Sequence, residues 1–243
     1  DAGITGCNFL VADTGAVVLT ENEGNGLLSI SFPKIHISIA GIEKIIPSLK
    51  ELDLYLPLLA THGTGQNITV YNNIVFGPKQ EYEDDGPVEM YVILLDNKRT
   101  ELMNYEKQRE ALACIRCGAC LNGCPIYRNI GGYTYKTVYS GPIGSVISPF
   151  YNGFAQYKHL SYASSLCGKC YEVCPVKINL PQLLLHNRNF AVISNLPPKT
   201  EKVLMKGWKM IMLNRKLINM VGSGIKNFVF KRGLKKLWGP RRA

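Results

Sequence analysis

Seven cysteines crowd into the stretch from Cys114 to Cys174, and an eighth, Cys7, stands far upstream. Four of them form the run Cys114-x2-Cys117-x2-Cys120-x3-Cys124-Pro125. Thiolates at this spacing suit an iron–sulfur cubane, because one tight loop can bring three sulfurs to three corners of one cluster. Gly118 lets that loop turn, and backbone N–H groups in it can donate to cluster sulfurs. The fourth cysteine points elsewhere and in two-cluster ferredoxins ligates the other cluster. Pro125 has no N–H and fixes the chain direction after Cys124.

A second motif, Cys167-x2-Cys170-x3-Cys174-Pro175, repeats the last three cysteines of the run. The slot for the first is Ser164. The crossed rule assigns Cys114, Cys117, Cys120 and Cys174 to one cluster. It assigns Cys124, Cys167 and Cys170 to the other, which then lacks a thiolate. Ser164 could supply an oxygen to that corner, solvent or Cys7 could fill it, or the site could hold a [3Fe-4S] cluster. Zinc is the competing metal, since two Cys-x2-Cys pairs can build a four-cysteine site. Zinc leaves Cys120 and both Cys-Pro endings without a role, so two iron–sulfur clusters are expected, both [4Fe-4S] if the fourth corner is filled.

Elements on both sides must position these loops. Residues 1–98 read as α/β. Asn8–Thr20 is strand-like with a turn at Gly15, and Lys34–Gly41 alternates as a strand. Ile42–Leu59 has helical spacing, with Pro47 and Pro57 as interruptions or boundaries. Asn67–Phe76 and Met90–Leu95 read as further strands, and Glu21–Gly26 and Gly77–Pro87 as loops. Glu101–Ala113 is a helix candidate running into Cys114. Pro125–Leu166, broken by Gly131-Gly132, Gly141-Pro142 and Ser148-Pro149, is expected to be irregular with short helices. Leu180–Asn189 is expected to be a helix beginning near Pro181. The chain therefore divides into an α/β part (1–98), a two-cluster part (99–195) and a tail (196–243).

Composition excludes several classes. Hydrophobic residues make up 46% of the 243 and charged residues 19%, a globular balance. No apolar run approaches the ~18 residues of a membrane span. Clustered cysteines suit a metal centre in a reducing compartment better than a secreted disulfide scaffold, so the protein is read as cytoplasmic. From Lys199 onward stand 13 Lys/Arg and one acid, Glu201, giving +12 against +10 for the whole chain. The body is thus near neutral, and the pI of 9.2 is no sign of nucleic-acid binding. The basic tail carries Trp208, Met210, Met212, Leu213, Leu217, Ile218, Phe228, Phe230, Leu234, Leu237 and Trp238. Such a stretch can lie on an anionic membrane, at the inner face of the cytoplasmic membrane here, or dock on a partner subunit.

Other residues read as structural. Cys7 is expected to be a buried small hydrophobe, and His36 a packed strand histidine. Glu21 and Glu23 are expected in a solvated loop, and His62 in a solvated turn. His159 and His186 flank the second cysteine motif and are expected at the surface. Tyr127, Tyr133, Tyr135 and Tyr139 are expected to cover the clusters, which matters because solvent exposure shifts their potential.

Several stretches resemble the lactate utilization protein B family. They are the run Cys114–Pro125, Ile130-Gly131-Gly132, Tyr139–Gly144 and Ser164–Ile178. Upstream, Gly3–Gly6, Thr14-Gly15, Asn22–Asn25, Phe32–His36 and Gly41–Lys44 also match it. The resemblance covers about residues 1–195. It implies that the N-terminal part is the later half of an LUD domain, Rossmann-like and akin to sugar-isomerase and CoA-transferase domains, within a longer polypeptide. It further implies an α-helical ferredoxin-like part and a subunit of a multi-protein L-lactate oxidation complex with two [4Fe-4S] clusters. The family also has seven motif cysteines and a serine at the Ser164 slot; it usually has a small residue where Cys7 stands. The expected role is non-catalytic electron transfer between other subunits of the complex. Three alternatives stand beside it: an LUD-domain enzyme component with accessory clusters, a scaffold with structural clusters, and an electron-transfer subunit of another oxidoreductase.

Overall fold

Strand patterning dominates the first hundred residues of the computed structural model, which describes residues 1–220. The strands are β1 (Ala2–Gly6), β2 (Phe9–Val11), β3 (Val17–Glu21), β4 (Ile35–Gly41), β5 (Ile45–Ile46), β6 (Tyr71–Val75) and β7 (Glu89–Leu95). They form two sheets, a parallel one in the order β1-β4-β7 and a mixed one in the order β5-β2-β3-β6. β2 and β3 form the hairpin expected around Gly15, with Phe9 opposite Val18 and Leu10 opposite Val17. Helix α1 (Asn25–Ser31) lies on β1. It comes so close at Gly3 that a Cβ there would stand 1.9 Å from the Ser29 carbonyl oxygen. β7 leaves Tyr91 through Leu95 exposed, and Ile4 of β1 and Ile39 of β4 are exposed as well.

Two expected helices are broken. Ile42–Leu59 does not form one helix: Ile42–Lys44 is a 3-10 turn, Ile45–Ile46 pairs with β2, and α2 begins only at Leu52 and runs to Gly63. Two β-branched residues ahead of Pro47 gain more from the sheet than from a helix that Pro47 would interrupt. Pro57 is tolerated inside α2. Glu101–Ala113 is likewise interrupted, into α3 (Arg99–Met103) and a 3-10 segment, Gln108–Ala113. Tyr105 sits at the break and packs its ring on Phe150 and Phe190, with centroids 5.0 and 5.8 Å away.

The helical part continues through α4 (Ala119–Gly123), α5 (Pro125–Ile130), α6 (Gly141–Asn152), α7 (Phe154–Tyr157), α8 (His159–Tyr162), α9 (Lys169–Glu172) and α10 (Leu180–Ile193). Most are short, as expected, but α6 is a twelve-residue central helix buried from Gly141 to Pro149. Gly141-Pro142 starts it rather than breaking it, because proline is well placed in a first turn. Pro149 deprives the Ser145 carbonyl of its helical donor, and the Ser161 hydroxyl replaces it at 3.0 Å. Asn187 of α10 donates to the Val146 carbonyl (2.9 Å) and to Ser161 Oγ (3.1 Å). An orphaned carbonyl at this depth would cost about 1–3 kcal/mol, so these side chains are what allow the proline here.

Residues Asp1–Ile193 form one compact unit and a second begins at Ser194. Within the first, the α/β and helical parts share structure. Ile115, inside the first cysteine loop, packs with Phe9, Val18 and Leu52 in the core under the mixed sheet. Gly63, ending α2, lies so close to the loop that a Cβ would meet the Cys117 carbonyl oxygen at 3.2 Å. The second unit contains α11 (Lys199–Leu213) and α12 (Arg215–Met220). Trp208, Met210, Met212 and Leu213 are exposed on α11. The side chains of Leu217 and Ile218, and the tail residues Phe228, Phe230, Leu234, Leu237 and Trp238, lie outside what the structure describes. Among the described residues no helix is long and apolar enough to cross a membrane.

Candidate metal centre

The two cysteine motifs fold into two loops of the same shape. Gly118 and Gly168 hold φ of 80° and 84°, and each starts a short helix, α4 or α9, that carries the next cysteine. The residues two positions earlier, Arg116 and Leu166, are also left-handed, at 63° and 54°. Side chains resist that region, so both loops carry the same strain at the same place. The result is a hook that turns successive thiols inward. α4 and α9 pack on each other, and Gly123 leaves room for Val173 at 3.3 Å from where a Cβ would be.

This packing crosses the motifs. Cys114, Cys117, Cys120 and Cys174 line one cavity of about 340 Å³, closed by Ile143, Ile178, Leu180 and Tyr139. Cys117 feels charge on both Cys114 and Cys174. Cys170 feels charge on both Cys124 and Cys167 and forms the middle of a second group. Cys120 and Cys170 are themselves close enough to interact, so the two groups adjoin. Among the described residues no three His, Cys, Asp or Glu side chains converge on a single-ion position. Four cysteines around one cavity are the donor set that an iron–sulfur cluster would take.

Electrostatics separates the groups. Burial pushes the Cys120 thiol up to about 12 and Cys170 up to about 11, and raises Cys114 and Cys117. Ligation needs thiolates, so loading metal into this interior must release protons. Cys167 is exposed and its thiol is lowered, first by the Lys169 N–H and then by the Ser165 hydroxyl. Backbone donors also reach Cys117 from Ala119, Cys120 from Ile143, and Cys124 from Tyr127 at 3.5 Å. Ile143 belongs to the first turn of α6, so the positive end of a buried helix faces the cavity.

Ser164 occupies in its loop the place of Cys114 in the other. The Leu166 N–H donates to Ser164 Oγ at 3.2 Å, as the Arg116 N–H donates to Cys114. Arg188 holds the Ser164 carbonyl at 3.2 Å. Cys7 is elsewhere, packed with Leu10, Val17 and Ala40, as the buried hydrophobe it was expected to be.

Three of the four tyrosines lie where a cover was expected. Tyr139 lines the cavity, Tyr135 is buried within reach of Cys124, and the Tyr127 ring packs tilted against Tyr135, with centroids 6.0 Å apart. Tyr133 is 96% exposed and covers nothing. Glu21 ends β3 half-buried and does not lie in a solvated loop: its carboxylate caps α1, accepting from the Gly26 and Leu27 N–H groups at 2.7 Å each. Glu23 accepts from Asn22 N–H at 3.2 Å in the exposed loop. His36 is fully buried, bonded to Thr5 Oγ1 at 2.8 Å. His62 ends a helix rather than sitting in a turn, and like His159 it is exposed; His186 is half-buried.

The residues that sequence reasoning missed are charged and surround the first group. Glu43, on the 3-10 turn after β4, pairs with Arg99 and with Arg116 (3.1 Å), and the side chains of Glu43 and Arg99 are each 2% exposed. Arg99 donates to Tyr139 Oη at 2.9 Å and lies 5.0 Å from the Tyr151 ring centroid, and Arg116 lies 4.4 Å over Tyr139. Lys44 lines the cavity beside the cysteines. The one available signal was an arginine and a Glu-Lys pair amid apolar neighbours.

Comparison with known proteins agrees with the motifs. The LUD domain family matches residues 1–95, and the 4Fe-4S dicluster domain family matches residues 110–178. Lactate utilization protein B of Bacillus velezensis is 47% identical over 209 residues, 86% of this chain and 44% of that protein. The protein of that name from Bacillus subtilis is 48% identical over 209 residues, 86% of this chain and 43% of its own length. The one from Geobacillus thermodenitrificans is 45% identical over 211 residues, 86% and 44%. The chain thus spans less than half the length of these curated relatives. No solved structure matches it.

Proposed function

From the premise that this chain carries an LUD domain followed by a 4Fe-4S dicluster domain and is a homologue of the lactate utilization B proteins, we propose that it is an electron-transfer subunit of a complex oxidising L-lactate to pyruvate. Two [4Fe-4S] clusters would be held by Cys114, Cys117, Cys120 and Cys174 and by Cys124, Cys167, Cys170 and Ser164. The packing of α4, which carries Cys120, on α9, which carries Cys170, sets the two cysteine groups side by side and is the observation that carries this proposal. A bound [4Fe-4S] cluster supplies one-electron transfer. Oxidation of a 2-hydroxy acid releases two electrons and two protons. Two adjoining one-electron sites let those electrons pass singly from a partner subunit to a further carrier, while the bond chemistry stays with the partner. Residues 1–98 would form the partial LUD part, 99–195 the two-cluster part and 196–243 the tail. The co-purified native complex should show both clusters reduced by L-lactate, and the isolated chain should not. Clusters that stay oxidised with lactate and all partners present would rule the proposal out.

Ser164 supplies the missing corner in this scheme, because its hydroxyl takes the position of the Cys114 thiol. Ser164→Ala should turn the second cluster into a three-iron form, with the corresponding EPR signal in the oxidised sample. Ser164→Cys should keep the four-iron cluster. An unchanged spectrum in Ser164→Ala would assign the corner to another ligand.

We further propose that the complex works in the cytoplasm, at the membrane's inner face. Lys199, Lys202, Lys206 and Lys209 recur at spacings of three and four along α11, forming one basic stripe. Leu204, Trp208 and Ile211 recur opposite it, with Met205 and Met212 beside them, and all are exposed. That division suits anionic lipid. The chain should co-sediment with vesicles containing phosphatidylglycerol and be released by about 0.5 M salt as its charges are screened. Equal sedimentation after Lys202→Glu and Lys206→Glu together would assign the helix to a protein partner.

A further inference from the structure

Lys44 belongs to the LUD part, yet it lines the cavity of Cys114, Cys117, Cys120 and Cys174. Its Nζ donates to the Cys7 carbonyl at 2.5 Å, so the end of β1's connection to β2 holds the ammonium in place. The other charges here are largely matched. Glu43 answers Arg99 and Arg116 together, and Arg116 also lies on the Tyr139 ring. Lys44, in contrast, is bonded to a neutral carbonyl. Its charge interacts first with Cys7 and also with Arg116, Glu43 and Cys114, and its side chain is partly withdrawn from water, where a charge acts over a longer range than in solvent.

We propose that Lys44 is a positioning charge of the LUD part that sets the reduction potential of the cluster bound by Cys114, Cys117, Cys120 and Cys174, and leaves the other cluster's potential alone. The proposal rests on the cluster assignment above. Each reduction adds one negative charge to a cluster, and a fixed cation nearby favours the reduced form. Lys169 stands beside the second group and its charge reaches Cys167, but Cys167 is exposed to solvent, which screens charge there. Lys44 would also give the LUD part a grip on electron flow, since anything that moves β4 and the turn after it moves this charge.

The test is an EPR-monitored redox titration of the full chain, purified anaerobically, with Lys44→Gln and Lys44→Arg beside the wild type. Glutamine keeps a donor for the Cys7 carbonyl and removes the charge. At the wild-type midpoint, its oxidised-to-reduced ratio should rise about tenfold for one cluster, a fall of about 59 mV for a one-electron couple. The second midpoint should stay, and Lys44→Arg should restore the first. Two unmoved midpoints, two that move together, or loss of the cluster in Lys44→Gln with arginine unable to restore the midpoint would each overturn the proposal. A wild-type chain without iron would instead sink the proposed function itself.

Discussion

Replacing Cys174 by alanine is expected to remove the same cluster as replacing Cys114, although Cys174 lies in the other motif. The reason is the packing of α4 on α9, which carries the Cys174 thiol across to the cavity of the first run. Each of these variants should keep about four of about eight iron atoms and one of two EPR signals. Cys124→Ala and Cys170→Ala should lose the complementary signal. Cys120 and Cys170 adjoin, so some broadening from coupling between the two clusters should vanish in all four variants. If Cys174→Ala instead matched Cys170→Ala, the motifs would each serve their own cluster and the crossed assignment would be wrong. Iron analysis and low-temperature EPR on the four proteins decide between the two.

Local chemistry made the cysteine loops legible. Gly118 and Gly168 announce left-handed turns, and the prolines after Cys124 and Cys174 fix where the chain leaves. Strands β4 and β7 were legible for a similar reason, since a few β-branched and apolar residues in succession have one good use. The losses came where a distant partner decides. Pro149 reads as a breaker until Ser161, from α8, takes the carbonyl it frees. Tyr105 reads as mid-helix until Phe150 and Phe190 claim its ring. Ile45–Ile46 has helical spacing with its neighbours, but β2 offers it a ladder. Glu43 and Lys44 carried no visible chemistry, because the arginines that pair with Glu43 and the cysteine cavity that Lys44 lines come from the other part of the chain.

Glu43→Ala is expected to be strongly destabilising. The Glu43 and Arg99 side chains are almost wholly out of water, and Arg116 shares the same carboxylate. Removing one partner of a buried pair typically costs about 3–5 kcal/mol, because the remaining charge is left without solvent or counter-ion. Here two guanidinium groups would be left at once. Arg99 keeps the Asp96 carbonyl (3.0 Å) and Tyr139 Oη as acceptors, and Arg116 keeps the Tyr139 ring, which offsets only part of the loss. Chemical denaturation of Glu43→Ala should give an unfolding free energy lower by that amount. Replacing the pair together, as Glu43→Leu with Arg99→Met, should recover much of it, since well-packed apolar substitutes avoid the unpaired charge. The effect should extend beyond stability. Glu43 joins the LUD part to Arg116, which stands between Cys114 and Cys117, so the variant should also lose iron faster to a chelator than the wild type does. A Glu43→Ala protein as stable and as slow to release iron as the wild type would mean that the two parts hold the cluster loop without this ion pair.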